Sequence, residues 1–279
     1  MPVLVELPAV SPIHFKSLVP EVRSSALLSQ ITAGKIDDFK QVRKDRLTWR
    51  GDPVSASYCN RELACLRHLL KLAEEKDLID KAPMVRLHQG ENSRDIALST
   101  EEYQRILTLA PAHLQRIMIC AYETGMRSRE IADLTWDKVD MEAGVIRLGT
   151  VDTKTKHKRI IPISPTLRTV LTEIRASQRQ GKVAPISGHV FTWKGKAFSR
   201  QGWKRSWKTA CTKGGSVGLH FHDLRHTFVT RKVREGWDYK RIMAITGHKT
   251  FSVFQRYNNP SEEDIKEVVL GIPPKKNVG

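Results

Sequence analysis

Between Leu219 and Tyr257 the chain reads LHFHDLRHTFVTRKVREGWDYKRIMAITGHKTFSVFQRY, which gathers two histidines, an arginine and a tyrosine at spacings suited to attack on a phosphodiester. His222 and Arg225 are three apart on a run where Leu224, Phe228, Val229 and Val233 recur at helical spacing, so both side chains share one helix face. His248 and Tyr257 follow a second short helical run. A tyrosine oxygen can attack phosphorus and form a covalent intermediate. With an ordinary pKa of about 10, it needs nearby cations to favour the phenolate. Arg225, together with Arg127 after a tight glycine turn, would supply two guanidinium forks that match phosphate oxygens and stay charged at any working pH. Negative charge grows on the non-bridging oxygens as the ester breaks, so positioned cations and donors lower the barrier, and His222 and His248 could add such donors. The leaving 5′ oxygen then needs a proton. Lys154, Lys156 and Lys158 are the candidates, and physics alone does not choose among them. The plain alternatives are a core aromatic for Tyr257 and a solvated surface residue for each arginine.

The elements that must position these groups follow from periodicity. Residues 1–20 hold four prolines and read as an irregular arm. From Glu21 to Lys40, Val22, Leu27, Leu28, Ile31 and Ile36 suit two short helices broken at Gly34. From Ser57 to about Glu75, Leu63, Leu66, Leu70 and Ala73 form one apolar stripe. Arg61, Arg67 and Lys71 lie off that stripe and are candidate DNA-phosphate contacts, with a solvated basic face as the bland reading. A polar, aperiodic run around residues 91–97 reads as a linker.

Beyond it, Ser99 and Glu102 form a capping-box signature, and a helix follows from about Ala112 to Glu123. Ser128 is expected to cap the next helix, which carries Ile131 and Leu134. The period then changes. Val145–Leu148 and Arg159–Ile163 predict an antiparallel hairpin with a basic tip, and His189–Phe191 a third short strand. Ser164-Pro165 opens a further helix, and Trp203 and Trp207 share another.

Composition bounds the function. The formal net charge of +17, from 47 Lys and Arg against 30 Asp and Glu, points to a polyanionic partner. Nucleic acid is favoured over an acidic membrane because no basic amphipathic segment or lipidation motif stands out. The four cysteines form no CxxC pair and no zinc spacing, so they read as reduced thiols. No apolar run approaches membrane-spanning length and Glu6, Pro8 and Pro12 interrupt any signal-peptide core, so a soluble, cytoplasmic protein is expected.

Taken together, TGMRSREI around Arg127, TKTKHKRIIPI around Lys154, HDLRHTF at His222 and Arg225, TGHKT at His248 and QRY at Tyr257 resemble the tyrosine recombinase, or phage integrase, family. That family's set is Arg, Lys, His-x-x-Arg, His or Trp, and Tyr, in this order. The nine positions from His248 to Tyr257 and the eight from Lys154 to Pro162 fit its spacing, and the second favours Lys154 over its neighbours. The resemblance covers about residues 55–270.

The resemblance implies a mainly α fold with a small antiparallel β-sheet in the catalytic domain, arranged as a two-domain DNA clamp. Residues 21–90 would be a helical, SAM-like core-binding domain and residues 98–279 the catalytic domain. The implied site is Arg127, Lys154, His222, Arg225, His248 and the nucleophile Tyr257, with Glu130 supporting the basic groups. A solvent-facing helix carboxylate is the alternative for Glu130. Tyr257 would form a 3′-phosphotyrosyl link that keeps the bond energy, so that rejoining needs no ATP, metal or other cofactor.

The implied partners are double-stranded DNA with specific core sites, further copies in a homotetramer, and accessory DNA-bending or directionality factors. The DNA-bound protein would sit with the bacterial nucleoid. Thr246 stands where many relatives have Leu, which reads as a packing change. His226 is read as facing away from the His222 face. Ser261 and Asp264 would cap a tail helix carrying Ile265, Val268, Val269 and Leu270, with docking onto a neighbouring protomer slightly favoured. A type IB topoisomerase and a catalytically silent DNA-binding regulator are the rival classes.

Overall fold

The computed structural model describes residues 30–48, 51–89, 96–153, 157–180, 188–199, 202–254, 266 and 269–271. The expectations for the N-terminal arm, for Lys154, Lys156 and Tyr257, and for most of the tail helix fall outside these residues.

The chain divides into two compact units, residues 1–93 and 94–279. In the first, α1 (Ala33–Asp45) pairs with α2 (Ala56–Glu75). Gly34 does not break a helix here. Thr32 caps α1 by accepting from the Lys35 amide, and a glycine two positions inside a capped first turn costs little. The Leu63, Leu66 and Leu70 stripe of α2 packs with Ile36, Phe39 and Val85. Arg61, Arg67 and Lys71 are exposed, as expected of a basic face off the apolar stripe. Asn60 holds the segment after α2 in place, donating to the His88 carbonyl at 2.9 Å and accepting from its amide at 2.7 Å.

The second unit is mostly helical with small antiparallel sheets. The Ser99–Glu102 capping box opens α3 (Thr100–Leu109), each side chain meeting the other residue's amide. The following helix, α4 (Ala112–Thr124), runs through the core with Leu114, Ile117, Met118 and Cys120 all inaccessible, and ends at Gly125 with φ +62°. A Cβ on Gly125 would run into the Phe228 ring, so glycine serves both the left-handed conformation and the close approach.

Arg127, not Ser128, is the N-cap of α5 (Ser128–Ala132), and Leu134 lies beyond that helix. Ser128 is displaced as cap because the Glu130 carboxylate reaches back to the Arg127 amide and satisfies it.

The three-stranded sheet runs β1 (Val139–Asp140), β2 (Val145–Leu148), β3 (Arg159–Pro162) in that order, antiparallel throughout, with Ile146 opposite Ile161 and Leu148 opposite Arg159. Val139–Asp140 is the third strand, not His189–Phe191. Two residues were too few to register as a strand period. The Val190 amide instead donates to the Leu134 carbonyl, and an isolated bridge joins His189 to Thr135.

Helix α6 (Pro165–Gln180) starts with its proline at the first position, as expected, and packs on α4. A small hairpin of β4 (Thr192–Trp193) and β5 (Lys196–Ala197) precedes α7 (Lys204–Lys213). The buried Trp203 and Trp207 pack on Phe221. The unit closes with α8 (Asp223–Arg234), α9 (Tyr239–Thr246) and the short α10 (Phe251–Phe254). Phe228, Val229, Ile242 and Phe254 form a second cluster that ties these helices together.

Candidate active site

Four separate elements deliver the basic groups. The start of α5 carries Arg127, the inward face of β3 carries Arg159, the start of α8 carries His222 and Arg225, and the turn after α9 carries His248. Gly247, at φ +73°, makes that turn, and a Cβ there would collide with the Arg159 guanidinium. The turn contacts both expected phosphate-binding arginines. Arg127 Nη2 donates to the Gly247 carbonyl at 3.3 Å, and Arg225 Nη2 lies 3.0 Å from His248 Nε2.

Arg225 is 2% exposed, and its other terminal nitrogen donates to the Gly125 carbonyl at 2.8 Å. The turn that ends α4 therefore also anchors this arginine. A lone buried arginine would be costly, so its fixed carbonyl partner matters as much as its charge.

Glu130 is buried, not solvent-facing. Its Oε1 accepts from Arg127 Nη1 at 3.0 Å, while Oε2 accepts from the Arg127 amide at 2.8 Å and from Arg159 Nη2 at 2.5 Å. One carboxylate thus serves two guanidinium groups. Arg159 has two further buried donors, Nε and Nη1, with no hydrogen-bond partner among the described residues. Its burial pulls its pKa below the usual arginine value, against the attraction of Glu130 and with Arg127 adding repulsion.

Arg159 is the residue that sequence reasoning passed over. The signal was present: with Ile161 facing the core, strand alternation turns Arg159 inward as well, and an inward arginine on a small sheet needs a carboxylate.

The histidines sit in a strongly cationic neighbourhood. Burial lowers the His248 pKa first, then Arg225, Arg127 and the neighbouring imidazoles add to it, down to about 3. His248 is therefore a neutral imidazole across the physiological range. The same forces act in the same direction on His222, desolvation first and Arg225 next, but its side chain is exposed and water screens them.

His226 does not face away from His222. Four helical positions amount to little more than one turn, and the two rings meet edge to face with centroids 5.5 Å apart. Thr246 is more than packing, since its hydroxyl oxygen lies 2.8 Å from His248 Nδ1. Phe254 presses its ring on His248 at 5.7 Å.

Beside the turn lies a cleft of about 980 Å³, lined by Arg147, Lys158, Arg159, His248 and Lys249 among others. Lys158 is exposed there. Among the described residues no cluster of His, Cys, Asp and Glu could hold a metal ion, and no helix is long and apolar enough to cross a membrane. What the assembled groups offer an anion is two arginines held in place by backbone carbonyls.

Comparison with known proteins gives the family and the fold. Residues 97–264 match the phage integrase family. The shufflon-specific DNA recombinase of Escherichia coli is 28% identical over 240 residues, covering 83% of this chain and 59% of its own. The chain thus spans less than two thirds of that relative's length. The Tn1549 transposon integrase, solved in complex with transposon right end DNA, superposes with a TM-score of 0.75 at 16% identity, over 95% of this chain and 94% of its own. A lambda integrase tetramer bound to a Holliday junction gives 0.65 at 19% identity, over 85% and 71%. At such identities the likeness of the structures establishes a shared fold.

Proposed function

Because the chain belongs to the phage integrase family, we propose that it is a site-specific tyrosine recombinase of a phage or other mobile element, cleaving and rejoining DNA through a 3′-phosphotyrosyl intermediate. In this reading Arg127 and Arg225 grip the scissile phosphate. Tyr257 Oη, its phenol proton lost to solvent and the phenolate favoured by the neighbouring cations, attacks phosphorus; the P–O5′ bond breaks as the P–O bond to tyrosine forms, and Lys154 gives the departing 5′ oxygen its proton. His222 adds a donor at the phosphate. His248 orients Arg225, and Glu130 holds Arg127. Resealing is the reverse attack by a 5′-OH of the partner strand, so the chemistry consumes no ATP.

The observation that carries this reading is the convergence of Arg127 and Arg225 on the Gly247–His248 turn, each held by a backbone carbonyl. Phosphoryl chemistry rewards such preorganised cations because no reorganisation is needed as charge develops.

We further propose that residues 21–90 form the core-binding domain, with the exposed Arg61, Arg67 and Lys71 on DNA phosphates, and that residues 98–279 form the catalytic domain. The two would clamp duplex DNA as part of a homotetramer. Lys156 and Lys158 would add backbone contacts beside Lys154.

Covalent trapping tests the assignment. The wild-type protein, incubated with a pool of nicked duplexes and denatured, is expected to retain DNA linked at its 3′ end, and sequencing that DNA gives the target site. Tyr257→Phe is expected to bind the recovered duplex and form no adduct. An adduct from the Phe variant would sink the nucleophile assignment. Relaxation of supercoiled DNA without paired sites would mean a topoisomerase, and binding with no adduct from the wild type a silent regulator.

A further inference from the structure

We propose that Thr246 is a positioning residue that locks His248 in its Nδ1–H tautomer, so that the Nε2 lone pair faces Arg225 and sets the plane of its guanidinium. The inference deepens the recombinase reading and rests on it for the purpose it gives Arg225.

Two ends of the imidazole assign the same tautomer independently. The Thr246 hydroxyl has a single hydrogen, and its oxygen lies 2.7 Å from the Ile242 carbonyl, which can only accept. That hydrogen is committed, so at 2.8 Å from the same oxygen His248 Nδ1 has to be the donor. On the far side, Arg225 Nη2 can only donate, so Nε2 at 3.0 Å has to accept. The opposite tautomer would set two hydrogens against each other at Arg225 and two lone pairs against each other at Thr246.

The arrangement is held from below. Thr246 is fully buried in the last turn of α9, and the left-handed Gly247 folds the chain back so that residue 248 can reach residue 246. A leucine at 246 would fill the space and offer no acceptor. The tautomer would then lose one of the two contacts that assign it, and the imidazole a contact that fixes its rotation. Holding one face of His248 with the threonine and the other with Arg225 completes a chain from the α9 backbone, through threonine and imidazole, to a guanidinium already fixed at its other end by Gly125. Outer hydrogen-bond partners of this kind set both tautomer and ring orientation in histidine sites.

The test uses the full chain with ¹⁵N-labelled histidine, the His248 signals being identified by their loss in His248→Gln. At neutral pH wild-type His248 is expected to show a protonated Nδ1 and an unprotonated Nε2 by NMR. Thr246→Val, nearly the same shape without the acceptor, is expected to shift the Nδ1 resonance and mix the tautomers. It should also slow single-turnover adduct formation on the duplex recovered from wild-type complexes by on the order of tenfold at saturating DNA, as for loss of an outer partner of a functional histidine. Thr246→Ser should restore both.

Wild-type-like shifts in the Val variant, or a Ser variant that behaves like Val, would overturn the proposal. If the Val variant does not fold, the wild-type spectrum decides alone, and a protonated Nε2 there overturns it. The spectra need no DNA, so a wild-type protein that forms no adduct would count against the recombinase reading and leave the tautomer result intact.

Discussion

Two buried arginine–glutamate clusters in this chain look alike and are built oppositely. In the N-terminal unit Arg43 meets Glu62 fork to fork, Nε on Oε2 and Nη2 on Oε1, both at 2.7 Å. Both oxygens of Glu62 accept from Arg43, and these bonds raise the Arg43 pKa in spite of burial. In the second unit one carboxylate, Glu130, is divided between Arg127 and Arg159, and burial lowers the Arg159 pKa. The first cluster joins α1 to α2. The second is left one positive charge in excess, with Arg225 beyond it, which is the state an anion site requires before its anion arrives.

The largest expected effect comes from removing each carboxylate. Glu62→Gln and Glu130→Gln should each destabilise their own unit by about 3–5 kcal/mol, read from urea unfolding monitored separately for the two units. They should part in function: the Glu130 variant abolishes adduct formation even where it remains folded, while the Glu62 variant slows it only through lost folded protein. Equal effects on both would erase the contrast.

Removing the arginine instead sharpens it. Arg43→Met removes both guanidinium bonds to the buried Glu62 carboxylate and should cost about 3 kcal/mol. Arg159→Met leaves Glu130 still paired with Arg127 and deletes two unmet buried donors, so stability should change by less than about 1 kcal/mol. A large loss in the Arg159 variant would show that its role is structural after all.

A last effect is expected in acid. His248 titrates far below an unfolded histidine, whose value is near 6.5, because burial and the arginines penalise its cation. Its neutral form therefore contributes stability that is complete above pH 6.5 and is lost progressively as pH falls toward about 3. NMR titration should find its imidazole neutral throughout pH 5–8. A midpoint within that range would mean that the arginines do not crowd it as described.

Most elements could be read from the chain because helical burial has a short period. The Leu63, Leu66, Leu70 stripe, the Ser99–Glu102 box and the Ser164-Pro165 start each involve residues within a turn or two of one another. The misreadings share a cause as well. Residue type alone makes Gly34 a break and Ser128 a cap, while the decisive factors are the Thr32 cap and the reach of Glu130. Strand β1 was too short to show a period.

The sequence by itself determined the basic character of the protein, its family, and the order of the residues proposed for the chemistry, because residue types, spacing and net charge are properties of the chain. Only the tertiary structure decided that Glu130 is shared, that Arg159 is its second claimant, and that Thr246 controls what His248 presents to Arg225. Those facts depend on which groups are buried together. Hydrogen-bond donors and acceptors are paired across elements far apart in sequence, and a tautomer is chosen by neighbours on both sides of a ring, which no local pattern records.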